Sequence, residues 1–304
     1  MRSVGAADMR TDGDMWDIVS SVGLTALGVA TFRALEATSP DPLIQDDYAP
    51  LFVAASGHSH FIGLLADPSP LADIPLVPGF MGVRTRFFDE FFSAAAADGV
   101  RQAVIVAAGL DARAYRLDWP AGTTVFEIDQ PKVLEFKEKV LTENGARPKA
   151  DRRTVAVDLR ADWPAALRGA GFDPGEPTAW SAEGLLPYLP GAAQDKLFEH
   201  IDELSAPGSR LAVESFVTGV DVKRLTSIES KYFGNFSPFG DVDPAELFYD
   251  DERADPAQWL TERGWSVRGF SSSELAASYG RSVPELPEEL DELWRQPRLL
   301  TAAR

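Results

Sequence analysis

VIVAAGLDARAYRL, Val104 to Leu117, is the stretch whose reading decides the fold. Ala103 to Val106 are apolar and β-branched enough for a fully buried strand, and they run directly into Ala107-Ala108-Gly109, where side chains almost vanish. There a ligand's polar group can approach the backbone closely. Asp111 comes next as the cap of a short helix whose unpaired N–H groups point back at the same spot. A strand, a small-residue turn and a helix N-terminus make half of a nucleotide site. The other half is an acid at the end of the next strand, and TTVFEID supplies Asp129, about 20 residues beyond Gly109.

Outward from this unit the same rhythm repeats. After the Trp119-Pro120-Ala121-Gly122 break come a strand over Thr123 to Ile128 and a helix from Pro131 carrying Val133, Phe136, Val140 and Leu141 inward, with Glu135 and Lys139 as an outer i, i+4 pair. Strands over Arg153 to Val157, Thr178 to Ser181 and Arg210 to Val213 alternate with helices over Trp163 to Gly169 and Ala192 to Leu204. This alternation predicts a doubly wound, mostly parallel α/β sheet with helices on both faces. A helix over Pro256 to Arg263, a strand over Trp265 to Phe270 and an antiparallel strand over Arg298 to Ala302 close the chain. Between Phe216 and Pro256 the rhythm fails in an aromatic, acidic, glycine-rich segment, read as a cap over a substrate pocket.

Upstream, Trp16 to Ala37 predicts a helix, Asp46 to Leu65 two short helices broken near Gly57, and Asp67 to Pro78 a loop. Arg84 to Ala97 places Phe87, Phe88, Phe91, Phe92 and Ala95 on one helical face, a core stripe. The organisation expected is one domain over 1–304: an N-terminal helical cover, 1–98, and a Rossmann-like core, 99–304, with the cap inserted at 216–256.

Composition narrows the function. The absence of Cys excludes a disulfide framework, a thiolate metal site and a cysteine nucleophile. With 47 acidic against 29 basic residues the formal charge is −18, which repels a phosphate backbone, so no nucleic-acid partner is expected. Asp8, Asp12, Asp14 and Asp17 stand where a signal peptide would be basic, and the apolar run Ile18 to Ala30 is too short for a bilayer. The expectation is a cytoplasmic protein with no membrane partner. His58-Ser59-His60 lacks the carboxylates or thiolates of a metal centre and reads as a loop or pocket wall, and Asp250-Asp251-Glu252 as a solvated turn. No metal is expected.

Four strand ends carry candidate ligands: Gly109, Asp129, Asp158 with Leu159, and Glu183. A carboxylate at Asp129 can accept both hydroxyls of a ribose, Asp158 can take an exocyclic amine, and Leu159 can pack on a purine face. Taken singly, Asp129 is an ordinary N-cap ahead of Pro131, Asp158 can equally cap its helix, and Glu183-Gly184 can be only a turn; the spacing from Gly109 decides for Asp129. The turn has one glycine where a dinucleotide fingerprint has three, so a nucleoside joined to something other than a diphosphate fits better.

These residues resemble the class I S-adenosylmethionine-dependent methyltransferases, and within them the leucine carboxyl methyltransferase-like branch. RTRFFDEF from Arg84, VIVAAGLDARAYRL from Val104, FEIDQPKVLEFK from Phe126, VDLR from Val157 and SAEGLLPYLP from Ser181 carry the resemblance, which spans Asp17 to Phe216 and the terminal strands. It implies a seven-stranded sheet and S-adenosyl-L-methionine as cofactor. It also implies that Arg84 holds the methionine carboxylate, Gly109 lines the cofactor, Asp129 binds the ribose, Asp158 and Leu159 frame the adenine, and Glu183 lies near the methionine amine. Ala107 stands where the family's turn often has glycine. The expected reaction is methyl transfer to an oxygen of a small-molecule acceptor. A carboxylate is favoured because it needs no general base, and only His58, His60 and His200 offer imidazole bases. No residue is assigned as catalytic. The alternatives are an NAD(P)-dependent oxidoreductase and a non-catalytic module that binds an adenosine ligand.

Overall fold

Alternation along Gln102-Ala-Val-Ile-Val106 sets the layers of the molecule: Ala103 and Ile105 face one way, Val104 and Val106 the other, and all four are buried. A computed structural model describes residues 22–71, 76–215, 231, 247–281 and 287–304. Its strands are β1 (Gln102–Val106), β2 (Thr124–Asp129), β3 (Asp151–Ala156), β4 (Thr178–Ala182), β5 (Arg210–Glu214), β6 (Ser266–Ser271) and β7 (Pro297–Ala303). They form one sheet in the order β3-β2-β1-β4-β5-β7-β6. The first five are parallel, and β7 lies antiparallel between β5 and β6. The chain runs outward from β1 to β2 and β3, then returns to β4 on its other side, so the order reverses between β1 and β4. In such sheets that crevice, at the carboxyl ends of the strands, is the ligand position.

Helices α1 (Val22–Ala37), α2 (Ala49–Ser56), α3 (Ser59–Ala66) and α4 (Leu76–Ala97) make the N-terminal cover. Leu27, Phe32, Phe52, Phe61 and the stripe Phe87, Phe88, Phe91 and Phe92 belong to the same core cluster as Ala103, Ile105, Val125, Ala179 and Ala212 of the sheet. The opposite face packs Val104, Val106, Phe126, Trp180 and Val213 against α7 (Trp163–Gly169), α8 (Gly191–Glu203) and α9 (Pro256–Glu262). Ahead of these in sequence stand the short α5 (Arg113–Arg116) and α6 (Pro131–Glu143). Two further helices, α10 (Ser272–Ser278) and α11 (Glu288–Arg295), sit between β6 and β7 in the chain.

Several expectations are corrected. The loop ahead of the phenylalanine stripe is shorter than read, because α4 already begins at Leu76; Pro78 falls in its first turn, where no intrahelical N–H bond is lost. Asp111 does not cap α5: Ala112 holds that position, and the Asp111 carboxylate instead accepts the Arg113 backbone N–H at 2.6 Å. With only four residues, α5 has little aligned dipole to offer a ligand. The outer pair of α6 is Lys139 with Glu143 at 4.0 Å, and Glu135 and Lys139 do not meet. The expected helical residues 16–21 and cap residues 216–246, Lys231 apart, lie outside the described residues. The rest of the cap, Leu247 to Asp255, folds back on the core: Leu247 is buried, and the Tyr249 N–H bonds to the Pro187 carbonyl at 2.9 Å.

Candidate functional site

β1 ends at Val106, and the chain then turns in two steps that need positive φ: Ala107 at 53° and Gly109 at 48°. Ala107 is the one described non-glycine residue in that region, held there by the hydrogen bonds of Ala108 and Gly109. The Ala108 N–H bonds to the Ile128 carbonyl at 3.0 Å, continuing the β1–β2 ladder past the strand. The Gly109 N–H then donates to Asp129 Oδ2 at 2.6 Å, and the Gln130 N–H donates to Asp129 Oδ1 at 2.7 Å. The carboxylate that ends β2 therefore pins the turn that ends β1. Space does not call for glycine at 109, since a Cβ there would meet only Ala26 of α1, at 3.7 Å; the left-handed backbone favours it, at a strain Ala107 bears two residues earlier.

Burial pushes the Asp129 carboxyl above the usual aspartate range, and the two backbone N–H groups counter it only in part. Each of its oxygens accepts one backbone hydrogen bond, which leaves lone pairs for two more donors. Two residues beyond β3, Asp158 turns to Arg160, and the charge-assisted bond between them at 2.7 Å holds its carboxyl below the usual range. The Gln130 side-chain amide reaches toward Asp158 at 3.4 Å, so the ends of β2 and β3 are linked. Leu159 is half-buried against the core on the α7 side.

The other end of the site is a network of charges. Arg84 of α4 is buried, with Glu214 Oε2 at 2.8 Å from its Nε and Glu183 Oε1 at 3.4 Å from its Nη2. Burial alone would lower the Arg84 pKa, but the two carboxylates outweigh it and raise it. Gly184, at φ 62°, donates its N–H to Glu214 at 2.9 Å, and a Cβ there would lie 2.6 Å from Arg84 Nη2. A side chain there would take up strained backbone and push the guanidinium off its carboxylates. Arg113, 2% exposed, ties Glu183 at 2.7 Å to Asp111 and to Asp89 of α4 at 2.7 Å, and Arg116 shares Asp89.

Thus Arg84 and Glu183 adjoin each other, Gly109 and Asp129 adjoin each other, and Asp158 with Leu159 flanks the second pair through Gln130. All stand at one edge of the sheet. Glu214 and Arg113 are additional members. Glu214 was legible in principle, because RLAVE ends a strand in an acid as FEID does. Nothing in the spacing marks Arg113 as buried. The histidines lie elsewhere: His58 and His60 stack with Phe61 at the start of α3, and His200 packs on Trp163. Among the described residues no group of His, Cys, Asp and Glu is suited to hold a metal, and no helix is long and apolar enough to cross a membrane. Asp251 accepts the Gly191 N–H at 2.7 Å and pairs with Arg253, so the acidic turn at 250–252 is a structural joint.

Comparison with known proteins gives a family. The family profile "Leucine carboxyl methyltransferase" matches residues 26–202. A protein of Rhodococcus jostii named "Putative S-adenosyl-L-methionine-dependent methyltransferase" is 70% identical over 97% of this chain and 100% of its own length. One of Mycobacteroides abscessus with the same description is 56% identical over 96% of each. Among solved structures, a duf574 family protein from Streptomyces avermitilis shares the fold at a TM-score of 0.50 and 13% identity, over 90% of this chain and 95% of that one.

Proposed function

Because the chain belongs to the leucine carboxyl methyltransferase family and is an S-adenosylmethionine-dependent methyltransferase, we propose that its acceptor is a carboxylate on a small molecule. The residues suit the cofactor. Asp129 keeps lone pairs for the two ribose hydroxyls while its bonds to Gly109 and Gln130 fix its direction. Arg84 beside Glu183 and Glu214 offers a guanidinium and carboxylates side by side, the complement of an amino-acid head group, which has one carboxylate and one ammonium. Asp158 and Leu159 are assigned to the adenine edge and face. Family membership replaces the nicotinamide reading, and the single-glycine turn agrees with that.

When bound, the cofactor would supply an electrophilic methyl on a sulfonium, whose transfer to a carboxylate oxygen would leave the C–S electron pair on sulfur. The protein's part is alignment and exclusion of water, worth on the order of 7 to 11 kcal/mol in a well-oriented pair. A carboxylate acceptor is already ionised and loses no proton, so it needs no base. The observation that carries this reading is the make-up of the edge, where Arg84, Arg113, Glu183 and Glu214 are committed to one another and no described histidine approaches them. The family's carboxyl chemistry points the same way.

The test uses methyl-labelled cofactor with panels of small carboxylic acids and phenols. Carboxyl transfer gives label that alkali releases as volatile methanol. Label found only in alkali-stable ethers would overturn the carboxylate acceptor while leaving the methyltransferase intact.

A further inference from the structure

Resting on that carboxylate reading, we propose that Arg298 is the residue that holds the acceptor's carboxylate. β7 runs antiparallel to β5, so its first residues lie at the edge where β1, β2, β4 and β5 end. Leu299 pairs with Glu214, and the Ser215 N–H bonds to the Arg298 carbonyl at 2.6 Å. Arg298 therefore stands next to the methionine end of the proposed cofactor cradle, on the side away from Asp129 and Asp158.

Arg84, Arg113 and Arg116 each have a carboxylate within ion-pair distance. Arg298 has none among the described residues, and its Nε is shut off from water with no hydrogen-bond partner. Burial pulls its pKa below the usual arginine value, Arg84 adds to that, and Glu214 offsets it only in part. Arg298 as a whole is half-buried, but its Nε is withdrawn from water without a hydrogen-bond partner, and an incoming anion supplies one.

Charge balance selects the anion. Glu214 is already engaged by Arg84 and by the Gly184 N–H. Asp89, Asp111, Glu183 and Glu214 match the four arginines in number. The cofactor's carboxylate and ammonium cancel, so its sulfonium brings one net positive charge to this edge. A carboxylate acceptor restores neutrality and presents two oxygens to a planar guanidinium, the geometry that suits bidentate pairing. A neutral alcohol would do neither. After transfer both products are neutral, and the attraction that gathered them is gone.

The experiment saturates wild type, Arg298→Gln and Arg298→Lys with sinefungin, an unreactive cofactor analogue that carries an ammonium in place of the sulfonium, then titrates benzoate, phenylacetate and decanoate against their neutral amides by calorimetry. Wild type is expected to prefer at least one carboxylate over its amide. Arg298→Gln should weaken that carboxylate about tenfold or more, the scale of a lost charge-assisted hydrogen bond. Arg298→Lys, keeping the charge without the fork, should lose less. Affinity for S-adenosylhomocysteine should stay the same in all three. Equal carboxylate binding by wild type and Arg298→Gln overturns the assignment, as does a wild type that binds no carboxylate above its amide. Should Arg298→Gln not fold, as judged by thermal unfolding, the comparison passes to Arg298→Lys, where unchanged carboxylate affinity overturns it equally. Base-labile esters formed with the same KM by wild type and variant would remove Arg298 alone. Base-stable products would instead remove the carboxylate acceptor.

Discussion

Asp129 does two jobs that pull on its ionisation in opposite directions. Burial favours its neutral form, whereas accepting ribose hydroxyls requires the carboxylate. With the pKa of the cofactor-free protein raised, the ionised form is fully present only above that raised value, so binding weakens as pH falls through it. The sign for folding is the opposite: stability from the neutral carboxyl is fully present below the unfolded pKa and is lost as pH rises through the folded one. Calorimetric affinity for S-adenosylhomocysteine should therefore decline in wild type on mild acidification, at a higher pH than an ordinary aspartate would titrate. Asp158, held low by Arg160, stays ionised further into that window. Asp129→Ala should bind about 1.5 to 3 kcal/mol more weakly near neutrality and show a flatter profile. Parallel profiles for the two proteins would mean that Asp129 does not meet the cofactor. At this scale the sequence was informative where a strand end, a small-residue turn and an acid recur in order, as at Gly109, Asp129 and Glu183. It was silent on Arg113 and Arg298, because a buried arginine and a surface one look alike until the partners are brought together. For Asp111 it pointed to the right residue with the wrong contact, since an aspartate before a helix can bond N–H groups without occupying the cap.

Elements were legible where one period ruled them. Phe87, Phe88, Phe91 and Phe92 of α4 follow the helical period and are all buried, and the parallel strands were found to within one or two residues. Helices α10 and α11 escaped because short polar helices have no apolar run to announce them; α10 is fixed by a capping box between Ser271 and Glu274. The least legible contact joins β2 to α6. Glu127 and Lys137 are both fully buried and lie 2.8 Å apart, with Arg152 of β3 also 2.8 Å from the same carboxylate oxygen. Pattern reading would put a lysine on the outer face of α6 and a glutamate on an exposed strand face, yet here each makes the other's burial tolerable. Removing the lysine leaves the buried carboxylate with Arg152 alone, so Lys137→Met should cost about 3 kcal/mol of unfolding free energy, the lower end for breaking a buried pair. Adding Glu127→Gln to it should recover part of that loss, because the under-compensated carboxylate is gone while Arg152 keeps Glu138 as a partner. Urea unfolding of the two single variants and the double variant measures the coupling. Additive losses would show that the two side chains stabilise their elements independently.

At the scale of the whole molecule, the N-terminal cover and the sheet have no core of their own to separate them. Leu27, Phe32 and Phe52 lie in the same apolar cluster as Ile105, Val125 and Leu299, and Arg33 of α1 donates to the Leu110 carbonyl at 2.7 Å beside the central turn. Unfolding the cover would expose one face of the sheet together with the site, which argues for one cooperative unit rather than a lid on an independent domain. Calorimetry should then show a single transition whose measured and van't Hoff enthalpies agree. A ligand that binds only the folded chain stabilises the whole of it, so S-adenosylhomocysteine at about a hundredfold above its Kd should add about 2.7 kcal/mol to that one transition. Two transitions, with only the later one moved by ligand, would make the cover a separate unit. Movement of the single transition would tie the turn at Gly109, the carboxylate at Asp129 and α1 above them into one folding event, so that ordering the cofactor site and folding the chain are the same process.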